Sequence, residues 1–140
     1  MKEDVKQTML WQKCSCEEAY RYPPLVLAYV GDAVFELYVR TRLAATGNKM
    51  NRIHQDAIGL VSAKAMARYY GKLVSHLTEN EKEVLQRGRN VKSRQIKSAD
   101  VGQYHKSTGF EALVGYLFLS SQEERLAQLL ALLPGEEDEG

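Results

Sequence analysis

Two long stretches of the chain are almost continuously apolar, and the polar residues fall mostly outside them. The first stretch covers residues 25–40, and it follows a pair of prolines and precedes Gly47. Proline suits the first turn of a helix, where its missing N–H has no partner to lose, and glycine commonly ends a helix. The pattern predicts a helix over about residues 24–46. Because this helix is apolar nearly all round, it should lie in the middle of a domain.

The second apolar stretch covers residues 112–119, and the pattern predicts that its helix opens at Ser107. Shorter helices are predicted for residues 3–13, 52–58, 62–70, 79–86 and 122–133. Asn51 is a candidate cap, Gly59 a candidate break and Gly88 a candidate end, while residues 78–81 and 121–124 resemble capping boxes. Residues 14–22 are predicted to be a connector. No alternating strand pattern is found, so the expected fold class is all-α.

Each of the two apolar helices carries one acid in an unusual place. Asp32 follows Gly31 in the first helix, and Glu111 lies at the predicted start of the second. Burying a charge is costly unless it is paired or binds a metal, and glycine is unfavourable inside a helix. Each acid also has a purely structural alternative. Gly31 could mark a helix contact, with Asp32 paired to a nearby arginine. Glu111 could complement the positive end of its helix. If the two helices pack together, Asp32 and Glu111 become candidate catalytic residues and oxygen ligands for Mg²⁺.

A basic stretch of few apolar residues precedes the second apolar helix. Residues 87–106 contain one acid, Asp100. Clustered Lys and Arg without compensating acids are typical of proteins that bind a phosphate backbone, although a solvated surface loop is the alternative. The candidate RNA-binding residues are Arg87, Arg89, Asn90, Lys92, Arg94, Lys97 and Lys106.

Composition narrows the class of protein. The chain has 140 residues, 44% of them hydrophobic and 26% charged, with a net charge of +1. These values predict one globular domain over residues 1–133, followed by an acidic disordered tail over residues 134–140. We find neither a membrane-spanning run nor the features of a signal peptide, so we expect a cytoplasmic protein in which Cys14 and Cys16 are reduced thiols.

Three spaced motifs resemble one family. The motif around Gly31 and Asp32, the turn at residues 87–90 and the helix opening at residues 107–113 are similar to those of Mini-ribonuclease III. This is the small bacterial branch of the ribonuclease III family, which has the nuclease domain without a double-stranded-RNA-binding domain. The resemblance covers about residues 22–132. It implies an all-helical homodimer that cuts double-stranded RNA with Mg²⁺, with Mn²⁺ as a substitute.

The resemblance also implies a biological task and a dimer contact. The task is maturation of the 23S ribosomal RNA precursor, with a ribosomal protein as a further candidate partner, and the dimer contact falls at Tyr29. Larger ribonuclease III enzymes carry two more acids, at the positions of Ala28 and Thr108 here. With only Asp32 and Glu111 left, weaker metal binding is expected, and Glu36 is either a contributor through water or a solvent-facing residue. A non-catalytic helical RNA-binding protein on a degenerate nuclease fold is the alternative function.

Overall fold

The computed structural model describes residues 10–91 and 101–133, and helix is the only regular secondary structure in those ranges. The described helices are α1 (Cys16–Arg21), α2 (Pro24–Ala44), α3 (Met50–Val61), α4 (Ala63–Leu73), α5 (Glu79–Arg89), α6 (Val101–Leu119) and α7 (Glu123–Leu130), with a 3₁₀ turn at Val74–His76. The prediction of an all-α fold is confirmed. Three predicted features lie wholly or partly outside the described residues: residues 3–9 of the helix predicted at 3–13, residues 92–100 of the basic stretch, and the tail at 134–140.

The second apolar helix, α6, is the centre of the fold. Eleven of its nineteen residues are buried, and α2, α4 and α5 all pack against it. Phe110 of α6 packs edge-on against Phe35 of α2 with ring centroids 5.0 Å apart, and against Tyr69 of α4 at 5.4 Å. The three rings tie the two long helices and α4 into one core, because such aromatic pairs add to the free energy of burial.

Two pairs of glycines let helices approach α6 more closely than side chains would allow. A Cβ atom added at Gly31 of α2 would lie 1.8 Å from the carbonyl oxygen of Glu111, and one added at Gly115 would lie 1.9 Å from that of Leu27. On another flank of α6, a Cβ at Gly88 of α5 would lie 2.9 Å from the Cα of Gly109. The backbones of α2 and α5 therefore contact α6 directly at these points. The helix contact at Gly31, which the sequence left open as an alternative, is therefore present.

The segment before α2 differs from the prediction. Residues 10–13 are not helical: the Nζ of Lys13 donates to the carbonyl of Phe118, and the backbone N–H of Cys14 donates to that of Leu119. These bonds tie the segment to the end of α6. The predicted connector at 14–22 contains α1, whose first turn is closed by a capping box between Ser15 and Glu18.

Several predicted helix ends are also wrong. Gly59 does not break α3, which continues to Val61, and the break falls at Ser62, whose hydroxyl caps α4. Asn51 is not a cap, since α3 starts at Met50. The predicted stop at Gly88 is one residue early because Gly88 is packed against α6 and α5 continues to Arg89.

The starts of α6 and α7 also differ from the prediction. Residues 101–106 belong to α6 itself and form neither a loop nor a separate short helix. The capping box predicted at 121–124 is absent, because Ser121 adopts a positive φ of 59° and α7 starts without a side-chain cap. The box predicted at 78–81 is confirmed by the reciprocal bonds of Thr78 and Glu81.

Two expectations drawn from composition can be compared with the described residues. Cys14 and Cys16 are both free cysteines. None of the helices in the described part of the chain has the length and apolar character needed to span a bilayer.

Candidate active site

The crossing of α2 and α6 brings the two predicted acids together. Gly31 contacts the backbone of Glu111, and Asp32 is the next residue of α2, so the two carboxyl groups lie within hydrogen-bonding contact. Asp32 is exposed to solvent, whereas Glu111 is half-buried. The pair therefore forms a small acidic site with one side chain in the protein and the other at its surface.

The electrostatics of the pair are unfavourable without a cation. Burial and the neighbouring Asp32 carboxyl raise the pKa of Glu111 from an ordinary 4.5 to about 8. Burial disfavours the charged form, and a second acid at hydrogen-bonding distance disfavours it further. At neutral pH the pair therefore retains a proton, which a bound divalent cation would displace.

Glu111 does not lie where the sequence placed it. It is the eleventh residue of α6, which starts at Val101, so it is in the middle of the helix. The interaction between a charge and a helix dipole falls off within the first turn. The alternative that Glu111 only complements the positive end of its helix is therefore wrong. Among residues 10–91 and 101–133, Asp32 interacts with Glu111 and does not pair with an arginine.

The donor set fits a hard divalent cation. Mg²⁺ is commonly bound by one or two carboxylates, with water and substrate phosphates completing its octahedral shell. Asp32 and Glu111 supply two such carboxylates, and their repulsion would be relieved by the positive charge. Within residues 10–91 and 101–133, no group of three or more His, Cys, Asp or Glu side chains could hold a metal ion. A cation here would therefore depend on water and substrate for its other ligands.

The positions beside the pair supply no further carboxylate in contact with it. Ala28 is buried one turn before Asp32, and Thr108 is buried with its hydroxyl donating to the carbonyl of Tyr104 at 3.0 Å. Glu36, one turn after Asp32, accepts a hydrogen bond from the Nε of Arg40 at 2.8 Å. The carboxylate of Glu36 is thus already engaged in an ion pair along α2.

The described members of the predicted RNA-binding set have different surroundings. Arg89 and Asn90 are exposed at the end of α5, while Lys106 is half-buried on α6 instead of lying in a loop. The guanidinium of Arg87 donates to the carbonyls of Tyr20 and Tyr22 at 2.6 and 3.1 Å. Because two of its donors hold the segment before α2, we leave Arg87 out of the proposed RNA contact. Lys92, Arg94 and Lys97 lie outside the described residues.

Tyr29 belongs to an exposed apolar surface on α2. Its side chain is 81% exposed, and Leu25, Val26 and Leu37 on the same helix are each at least 43% exposed. A run of large exposed apolar side chains commonly marks a protein–protein interface. The position of Tyr29 is therefore suited to the predicted dimer contact.

The sequence interpretation missed Gly115, the residue of α6 against which the backbone of α2 packs. Its signal was available, because it is a glycine inside an apolar helix, as Gly31 is. A glycine in each of two apolar helices indicates a place where their backbones can meet. This pair sets the spacing between Asp32 and Glu111.

Comparisons with known proteins agree with this geometry. A family model described as Ribonuclease III domain matches residues 25–122, which include Asp32 and Glu111. Two proteins named Mini-ribonuclease 3 are similar: that of Symbiobacterium thermophilum is 50% identical over 77% of this chain and 85% of its own length, and that of Brevibacillus brevis is 45% identical over 86% and 97%. A crystal structure of a Fusobacterium nucleatum protein superposes with a TM-score of 0.74 at 28% identity, covering 79% of this chain and 92% of that one.

Proposed function

Because the chain belongs to the ribonuclease III family and is an endoribonuclease, we propose that it hydrolyses double-stranded RNA with Mg²⁺ at the Asp32–Glu111 pair. Enzymes of this family generally depend on a divalent metal. The observation that carries the proposal is the pair of adjoining carboxyl groups at a glycine crossing of the two main helices. Mn²⁺ is the expected substitute, since it also prefers oxygen ligands.

The two side chains have different roles in the reaction. A bound divalent cation supplies activation of a water molecule and neutralisation of charge on the phosphate. Glu111, in the middle of α6, would hold the cation from the protein side after losing the proton that its raised pKa retains in the metal-free site. Asp32, exposed on α2, faces the solvent from which the RNA arrives. The contact between Gly31 and the backbone of Glu111 holds together the two helix segments that carry the carboxylates.

We propose that the enzyme acts as a homodimer. One chain contributes one carboxylate pair, so cutting both strands of a duplex requires two sites related by a twofold axis. The exposed apolar residues of α2 around Tyr29 provide a surface that a second copy could cover. Because Tyr29 and Asp32 lie on the same helix, this arrangement would place the two sites near the dimer axis.

The substrate we propose is the 23S ribosomal RNA precursor in the cytoplasm, with a ribosomal protein as a further partner. Support comes from the relatives named Mini-ribonuclease 3. Arg89 and Asn90, exposed at the end of α5, together with Lys92, Arg94 and Lys97, are the proposed contacts to the duplex, and Lys106 is a weaker candidate because it is half-buried. Duplex RNA is recognised mainly through its shape and its phosphates, which suits a basic segment.

The test uses Asp32→Asn, which keeps the shape of the side chain and removes its charge. We expect cleavage of a long RNA duplex in Mg²⁺ to fall by more than about 100-fold, while duplex binding and the melting temperature stay close to those of the parent. The reaction is run with and without Mg²⁺, and with Mn²⁺. Metal-independent binding by the parent protein without any cleavage would instead support the non-catalytic alternative.

A further inference from the structure

The ion pair between Glu36 and Arg40 lies beside the carboxylate pair on helix α2. Asp32, Glu36 and Arg40 are spaced four residues apart, so the ion pair continues the face of α2 that carries Asp32. The distance along the helix axis from Asp32 to Arg40 is about 12 Å. The proposed reaction at Asp32 and Glu111 does not use this ion pair.

Glu36 orients the guanidinium of Arg40. The Nε of Arg40 donates to the Oε2 of Glu36 at 2.8 Å, and the side chain of Arg40 is 71% exposed whereas that of Glu36 is 34% exposed. Among residues 10–91 and 101–133, Glu36 is the hydrogen-bond partner of this guanidinium. The terminal nitrogens therefore remain for an acceptor from outside the chain, and they form the planar fork that fits a phosphate.

The direction of the two main helices places Arg40 on a particular side of the cleavage site. As the numbering rises from Leu27 to Gly31 in α2, it falls from Gly115 to Glu111 in α6, so the two helices run antiparallel. From the carboxylate pair toward Arg40, α2 therefore runs toward the start of α6, which residues 92–100 of the basic stretch precede. RNA that extends from the carboxylate pair to the basic stretch would pass Arg40.

The two helices carry no unpaired acid on this side of the site. Residues 101–110 of α6 contain no Asp or Glu, and Tyr104, two turns before Glu111 on the same face, is exposed. Between residues 33 and 44, Glu36 is the acid of α2, and Arg40 balances its charge. A phosphate beside the one being cut would therefore meet an oriented cation here without an opposing free carboxylate.

The stability of α2 does not require this ion pair. Exposed ion pairs of this kind contribute little to stability. Helix α2 is held instead by six buried residues, which pack it against the core. The position of the ion pair beside the cleavage site, where substrate must approach, is the feature that a purely structural role leaves unexplained.

We propose that Arg40 binds a backbone phosphate of the RNA strand beside the phosphate that is cut, and that Glu36 is the positioning residue for its guanidinium. This inference rests on the proposed function, which makes RNA the substrate. The neighbouring phosphate keeps its charge throughout the reaction, so the contact is equally strong in the bound substrate and in the transition state. Losing it should therefore raise KM and leave kcat nearly unchanged.

The experiment removes the charge of one RNA phosphate at a time. In a duplex that the wild type cuts, a neutral methylphosphonate replaces a single backbone phosphate, at successive positions on both sides of the cut. Binding is measured with the cleavage-deficient Asp32→Asn protein, alone and with Arg40→Gln added. The control variant adds Arg42→Gln instead, which removes the same charge from the same helix, at a guanidinium that lies over the ring of Tyr38.

We expect one neutral position near the cut to weaken binding to the Asp32→Asn protein about tenfold. Adding Arg40→Gln should weaken binding of the unmodified duplex by a similar factor, lower the salt slope by about 1 and abolish the sensitivity to that position. The Arg42→Gln control should keep the sensitivity. With Asp32 intact, Arg40→Gln should raise KM about tenfold and change kcat by less than about twofold.

The sign of the effect of Glu36→Ala tests the positioning role. On charge alone, removing an acid near RNA would strengthen binding, whereas losing the orientation of Arg40 should weaken it about threefold. Glu36→Ala combined with Arg40→Gln should bind no more weakly than Arg40→Gln does, since both act through one contact. The melting temperatures of these variants should stay close to that of the parent, because an exposed pair adds little stability.

Sensitivity to the same neutral position in the Arg40→Gln protein, or an equal loss of affinity in the Arg42→Gln control, would overturn the inference and leave the proposed function standing. Stronger or unchanged binding by Glu36→Ala would overturn the positioning role of Glu36. If the wild type cut no duplex RNA and the Asp32→Asn protein bound none, the proposed function and this inference would both fail.

Discussion

Replacing Gly31 by alanine should disrupt the crossing on which the carboxylate pair depends. The added Cβ would lie 1.8 Å from the carbonyl oxygen of Glu111 and 2.8 Å from the backbone nitrogen of Gly115. Neither atom can move by a side-chain rotation, so the helices must separate by about 1.2 Å or more before the contact reaches even 3.0 Å. Overpacking of this kind costs about 1–3 kcal/mol, and contact with backbone places this case at the upper end. The better helix propensity of alanine returns about 0.5–1 kcal/mol.

The expected net loss is about 2 kcal/mol of unfolding free energy, equivalent to a fall of roughly 6–8 °C in melting temperature. Moving one carboxylate by about 1 Å should also lower the cleavage rate by about 100-fold. Gly59→Ala is the matched control, since Gly59 also lies inside a helix but has no atom within 4 Å of an added Cβ, so the control should be as stable as the wild type or more so. A Gly31→Ala enzyme with wild-type stability and activity would refute the reasoning.

Two further predictions concern the charge of the site and the exposed surface of α2. Since the native state holds the proton of Glu111 up to a pKa of about 8 and the unfolded chain loses it near 4.5, the unfolding free energy of the metal-free protein should fall as pH rises between these values. Glu111→Gln should flatten that profile in denaturant titrations, and Mg²⁺ binding to the wild type at pH 7 should release about one proton, measured by calorimetry in buffers of different ionisation enthalpy. Tyr29→Asp should shift a dimer toward monomer in light scattering and reduce double-strand cleavage, because an apolar interface does not accept an unpaired charge. The control Ile58→Asp, at an exposed apolar position on α3, should do neither, and an unchanged dimer in Tyr29→Asp would place the interface elsewhere.

The sequence predicts the carboxylate pair better than it predicts the helices around it. Asp32 and Glu111 were identifiable because an acid in an almost wholly apolar helix has few explanations. The start of α6 was not identifiable, because residues 101–106 have no apolar period and none of them is buried, so they extend the buried part of the helix without a pattern of their own. The short helix α1 was missed although the capping pattern of Ser15 and Glu18 was visible. A six-residue helix is not stable alone and forms because of its tertiary contacts.

The two positions that lack acids lower the electrostatic cost of folding the site. Ala28 and Thr108 are both more than nine-tenths buried. A carboxylate at either place would be less solvated than Glu111, whose own pKa is already raised by burial and by Asp32. Each added charge would therefore raise the free energy of the metal-free fold and increase the affinity for a cation. With Ala28 and Thr108 in those places the chain avoids this cost, and we expect substrate phosphates to supply the ligands that the protein omits. Metal and RNA binding should consequently reinforce each other.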